Sequence, residues 1–282
     1  MRVSLLLVTL LAVTTHSFSQ TSFDKVKHND KGNFFMYWGW NRGIYTKSNI
    51  RFHGENYDFT LKSVVAKDRQ SKFGLDPYLN PGRVTIPQYD FRVGYFFRDN
   101  YSISFGIDHM KYVMKQNQTV DINGKIGETG TRYDGIYSHV PIQLTEDFLK
   151  FEHTDGLNYV NVELRRSHTI LSPKSGFRHI DASLIEGVGG GMLYPRTNTT
   201  LLNYDRYDQF HVAGYGVAAV VGLNITFFNH LFIQAEAKGG YINMPDIRTT
   251  EFATDRAKQH FEFLQTNILV GAHFRLWKAK YH

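Results

Sequence analysis

Residues 209–227 read QFHVAGYGVAAVVGLNITF, and the way these 19 residues alternate decides the fold. Odd positions carry His211, Ala213, Tyr215, Val217, Ala219, Val221, Leu223, Ile225 and Phe227, while even positions include Gly214, Gly216, Ala218, Gly222, Asn224 and Thr226. A period of two is that of a β-strand, whose successive side chains point to opposite faces. The run is far longer than the roughly 5–6 residues of a common globular strand. It suits a tilted strand that crosses a bilayer in about 9–11 residues and continues past it. The small residues opposite the apolar ones suit a cramped interior.

Seven further segments repeat the pattern. In residues 88–98, Tyr89, Phe91, Val93, Tyr95 and Phe97 oppose Gln88, Asp90, Arg92, Gly94 and Phe96. Across Asp99-Asn100, residues 101–112 set Ile103, Phe105 and Ile107 against Ser104, Gly106 and Asp108, so the two predict a hairpin. Residues 157–168 oppose Val160, Val162 and Leu164 to Asn161, Glu163 and Arg165; residues 177–195 oppose Ile180, Ala182 and Leu184 to His179, Asp181 and Ser183. The alternation in 177–195 slips near Glu186, which predicts a bulge among Gly187, Gly189, Gly190 and Gly191. Residues 231–243, 259–277 and 33–46 complete a set of eight, the last holding Phe34, Met36, Trp38, Trp40 and Ile44 on one face.

Gap lengths then predict the topology. Residues 99–100, 171–176 and 228–230 are short connections, whereas 47–87, 113–156, 196–208 and 244–258 are long. An even strand number with short turns at one rim and long loops at the other is the form of a bacterial transmembrane barrel. The fold class expected is therefore all-β, an antiparallel up-and-down transmembrane β-barrel of eight strands with long extracellular loops. Residues 57–66 also alternate; counted as a ninth spanning strand they would break the even rule, so they are placed above the membrane.

The composition agrees with this and removes much chemistry. Of 282 residues none is Cys, which excludes disulfides, thiolate metal sites and a cysteine nucleophile. Mean hydropathy is −0.35, and beyond the first 20 positions no apolar run is long enough for a membrane helix. Aromatic residues make up 15% of the chain, a surplus that a lipid-facing strand surface would absorb. The net charge of +6 is scattered, so no nucleic-acid partner is implied, and no cofactor is implied either. Arg2, the apolar stretch 5–13 and small residues at 17 and 19 predict a signal peptide over 1–19. A polar stub follows over 20–32, the barrel over 33–277 and a tail over 278–282. Without cysteine the exported chain carries no lipid anchor.

By these strands and the opening Phe34-Phe35-Met36-Tyr37-Trp38-Gly39-Trp40-Asn41, the chain resembles the small outer-membrane β-barrels of Gram-negative bacteria of the OmpA/OmpX type. It resembles more closely exported barrel proteins with such an aromatic first strand. The resemblance is architectural. It implies the cell outer membrane as location, and outer-membrane lipids, lipopolysaccharide included, and other envelope proteins as partners. The last strand ends at Phe274-Arg275-Leu276-Trp277 and a five-residue tail follows, where this class usually ends on an aromatic residue.

With the apolar faces toward lipid, the lumen is expected to collect Asp90, Arg92, Asp108, Glu163, Arg165, Asp181, Glu236, Lys238 and Arg275, with His179 and His273. An eight-stranded barrel is just wide enough for side chains to fill, and buried charges of both signs must pair, so these residues predict a charged plug. The histidines His139, His153, His179, His211, His260 and His273 show no metal-ligand spacing. The expected role is non-enzymatic, with the two longest loops binding a protein partner or surface ligand. The alternative is an acyl hydrolase acting on lipid A or phospholipid through His153. Barrel-type lipid A hydrolases place a Ser two residues from such a His, whereas this chain has Thr154 and Asp155 there. The bland reading of residues 146–156 is a segment packing Phe148 and Phe151 onto the barrel mouth.

Overall fold

The computed structural model describes residues 30–276 apart from positions 73, 81, 84, 85, 173–179 and 203. The expected signal peptide, most of the polar stub and the tail lie outside the described residues. Among these residues fourteen strands form, in chain order β1 (Phe34–Tyr45), β2 (Ser48–His53), β3 (Tyr57–Val64), β4 (Ala66–Lys67), β5 (Tyr89–Arg98), β6 (Tyr101–Met114) and β7 (Thr119–Ile126). There follow β8 (Gly135–Gln143), β9 (Leu149–Leu171), β10 (Ile180–Leu193), β11 (Asn198–Leu201), β12 (Gly214–Phe227), β13 (Leu231–Arg248) and β14 (Arg256–Phe274). The eight segments expected to span form one ring, β1-β5-β6-β9-β10-β12-β13-β14, every pair antiparallel. It closes where β1 pairs β14 in unbroken register from Phe34↔Phe274 to Tyr45↔Phe263.

The short turns follow from backbone chemistry. His230 N–H bonds the Phe227 carbonyl at 3.0 Å across Phe228 and Asn229, both with positive φ (54° and 61°). That is the mirror-image turn whose twist matches a hairpin. Asn100, with φ 65°, serves the β5–β6 turn.

The long strands change character along their length. On β14 the outward residues Leu264, Ile268 and Val270 are 45–54% exposed, and the inward Gln265 and Asn267 are buried. A few residues up the same strand the inward side chains become Phe261 and Phe263, both buried, and the outward ones Lys258, His260 and Glu262. β13 repeats the inversion, from Gln234, Glu236 and Lys238 inside to Ile242, Met244 and Ile247 inside. An apolar outside with a polar inside is stable only against hydrocarbon; the reverse is stable in water. The strands thus cross from one solvent to the other.

The long connections expected outside the membrane build an upper storey of strands. From β14 the same sheet continues as a branch through β2, β3, β7 and β8, while β11 adds to β9. This branch forms a head with an apolar core including Phe52, Tyr57, Phe59, Ile122, Phe148 and Phe151, each at most 1% exposed. Residues 57–66 lie in this head, outside the ring. The expected bulge among the glycines of β10 does not form there: the ladder shift falls between Ala182 and Ser183. The glycines permit close approach instead, since a Cβ on Gly191 would stand 2.0 Å from the Val160 carbonyl oxygen. Residues 209–213 precede β12 as irregular chain, so the ladder of that segment begins at Gly214.

Candidate functional site

The ring alternates inward and outward residues, and the inward parity of β5, β6, β9 and β13 gathers Asp90, Arg92, Asp108, Glu163, Arg165, Glu236 and Lys238, each no more than 5% exposed. Glu163 is the hub: its carboxylate meets Arg165 at 2.6 Å, and Arg92 and Lys238 at 2.9 Å each. Lys238 also reaches Asp108 at 2.7 Å, and Arg165 pairs with Glu236. Tyr37 accepts from Arg92 and Arg165 at 2.9 Å each, and Asn161 accepts from Arg92 at 2.7 Å while donating to Asp108 at 3.2 Å. Asp90 differs. It takes hydrogen bonds from the amides of Asn41 (3.0 Å) and Gln265 (2.9 Å) and, among the described residues, no ion pair.

Toward the turn-bearing rim the interior becomes aromatic. Phe35, Tyr37, Phe96, Phe232 and Leu269 form a second buried cluster. His273 joins it, its ring edge-on to Phe35 and Phe96. Beside this cluster a cavity of about 230 Å³ is walled on the far side by Arg165, Ser167, Thr169, Asp181, Ser183 and Thr226. Asp181 is half-buried in that wall, apart from the ionic cluster. Arg275 falls past the end of β14, is exposed, and bonds Asn33 and the Lys31 carbonyl at 3.0 Å each. It is not a lumen residue, because the last inward position of its strand has already passed. His179 lies outside the described residues.

The neutral members of the interior, Tyr37, Asn41, Asn161, Gln234, Gln265 and Asn267, were not counted in the expected charged plug. Their signal was available: each occupies the inward parity of its strand.

His153 sits in the head, above the apolar band and fully enclosed. Its Nδ1 lies 2.8 Å from Thr197 Oγ1, and the rings of Phe151 and Tyr112 are centred 5.0 and 5.6 Å from its own. Gln259 donates to Ser48 (2.9 Å) and Tyr112 (2.6 Å), completing a small polar knot inside an apolar core. Burial pushes the imidazole down to about 3, with Gln259 acting in the opposite sense. Thr154 points to the other face of β9, where its hydroxyl donates to Glu152 at 2.9 Å, and Asp155 faces Arg196 at 3.7 Å. The three residues considered for hydrolysis are therefore not assembled: a nucleophile must lie within hydrogen-bond reach of its base. Phe148 and Phe151 instead pack into the head core.

A closed eight-stranded ring, apolar outside and ion-paired inside, defines a transmembrane β-barrel. No family model matches the chain, and no curated protein does. Among solved structures, Ail, the attachment invasion locus protein of Yersinia pestis, is 10% identical with a TM-score of 0.32, over 86% of this chain and 99% of that one. OprG from Pseudomonas aeruginosa is 12% identical with a TM-score of 0.36, over 87% and 97%. The outer membrane protease OmpT from Escherichia coli is 11% identical with a TM-score of 0.34, over 86% and 96%. These likenesses are low.

Proposed function

We propose that this chain is an outer-membrane β-barrel protein of the Gram-negative envelope, without enzymatic activity, whose folded head binds a protein partner or a surface ligand. The lumen acts as a charged plug, and the wall is bathed in outer-membrane lipids including lipopolysaccharide. The observation that carries this reading is the inversion of sidedness along single strands: the same strand presents leucine outward beside the ionic interior and lysine outward beside an aromatic one. One end is built for lipid and the other for water. Charged, amide and aromatic side chains occupy successive levels of the described interior, which supports a filled lumen. A large self-supporting head above a sealed barrel is a presentation device, which favours binding over transport.

The test is fractionation followed by native detergent extraction. The mature protein should partition with the outer membrane, migrate faster on electrophoresis unheated than heated, and bring down a stoichiometric partner. Recovery in the soluble fraction, or mobility indifferent to heating, overturns the barrel. Steady ion conductance in planar bilayers overturns the plug.

A further inference from the structure

We propose that the turn Leu75–Tyr78, with Leu79 and Ile86, lies in the acyl–headgroup boundary of the outer leaflet, folded down the barrel wall as a lipid-seated anchor. This rests on the outer-membrane barrel reading and adds a specific contact that the fold alone does not imply. The segment belongs to the first long connection, residues 47–87, which was expected to be a long extracellular loop.

Three observations place it. First, the chain is pinned to the upper half of β1, where β5 has ended and the edge of β1 lies open. There Gly43 N–H donates to Asp68 Oδ2 at 2.8 Å, and Gln70 donates to Gln88 at 2.9 Å. The seam is filled further by Lys111 Nζ, which donates to the Ile86 carbonyl at 2.7 Å. Second, Tyr78 packs its ring 5.8 Å from that of Trp40. Trp40 is an outward residue of β1, between the exposed Met36 (46%) and Ile44 (69%), and its register partner Ile268 is an exposed residue of the band. The turn therefore lies over the band. Third, Leu75, Leu79 and Ile86 are 77%, 64% and 51% exposed, so half or more of each is left uncovered by the described residues.

Exposed leucine is costly in water and favourable against hydrocarbon, by about 25 cal/mol per Å² of apolar area. Here the apolar positions continue a surface that already faces lipid. Several polar atoms of the turn pair internally: Leu79 N–H bonds the Leu75 carbonyl at 2.7 Å, Asn80 donates to Asp76 at 2.9 Å, and Arg83 pairs with Asp76 at 2.9 Å. These pairings lower the cost of seating the turn at the headgroup boundary, where the exposed Arg83–Asp76 pair can stay on the polar side.

The absence of cysteine makes the test clean, because a single introduced thiol is the sole labelling site. The full mature chain carrying Leu79→Cys or Leu75→Cys is labelled with an environment-sensitive fluorophore. It is then folded into phosphatidylcholine vesicles doped with a lipid bearing a nitroxide on its acyl chain. Ile268→Cys in the band and Ile136→Cys in the head, a position 90% exposed, are the references. The expected result is quenching at 79 and 75 comparable with 268 and at least about twofold that at 136, as for a segment about 5–10 Å into the boundary. Quenching at 79 and 75 no greater than at 136, with 268 quenched, overturns the anchor and leaves the barrel standing. An unquenched 268 overturns the barrel reading and the anchor with it.

Discussion

Glu163 and Asp90 are both buried carboxylates in one interior, yet their substitutions should differ sharply. Glu163 touches three cations, so Glu163→Gln leaves Arg92, Arg165 and Lys238 short of counter-charge; a cost of about 3–5 kcal/mol is expected, the usual result of breaking a buried pair. Asp90 is held by two amides and no cation among the described residues, so Asp90→Asn should change stability by less than about 1 kcal/mol. The midpoint of urea unfolding in vesicles distinguishes the two. His153 supplies a pH prediction. Its folded value of about 3 lies below the usual 6.5, so between those limits the unfolded chain binds a proton that the folded chain does not. The stability contributed is whole above pH 6.5 and lost as the pH falls toward 3. Near-UV dichroism of the head should follow that slope, and His153→Gln should flatten it.

At the scale of elements, β9 and β10 lie close because Gly187, Gly189 and Gly191 leave room for the residues opposite them. Gly191→Val would drive a side chain into the Val160 carbonyl, and a loss of about 1–3 kcal/mol is expected, read as a lower temperature for the electrophoretic shift. All eight ring strands were legible in the sequence, since alternation is a local property and each outward face had to be apolar in its own right. What escaped was the length of β9 and β13: residues 149–156 and 244–248 extend the ladder into the head, where alternation reverses its meaning and a bulge between Met244 and Ile247 interrupts it. The interior site was legible by parity. Its failure was at Arg275, where parity was counted past the end of the strand, and at His153, whose neighbours in sequence are not its neighbours in space.

For the molecule as a whole, the two storeys have separate cores and should fail separately. Phe59→Ala, in the head, should cost about 3–5 kcal/mol there. Limited proteolysis should then cut the head while the barrel keeps its heat-dependent mobility; simultaneous loss of both would mean a single cooperative unit. Sequence by itself determined the barrel, its strand number, its sidedness and which charges turn inward, because all of these follow from a period of two and the chemistry of each face. Tertiary structure alone decided that the two longest connections build a folded head, that His153 is entombed in it, and that Leu75–Tyr78 folds back onto Trp40. These depend on contacts between residues far apart in the chain, and no local period records which distant surface an apolar residue will meet.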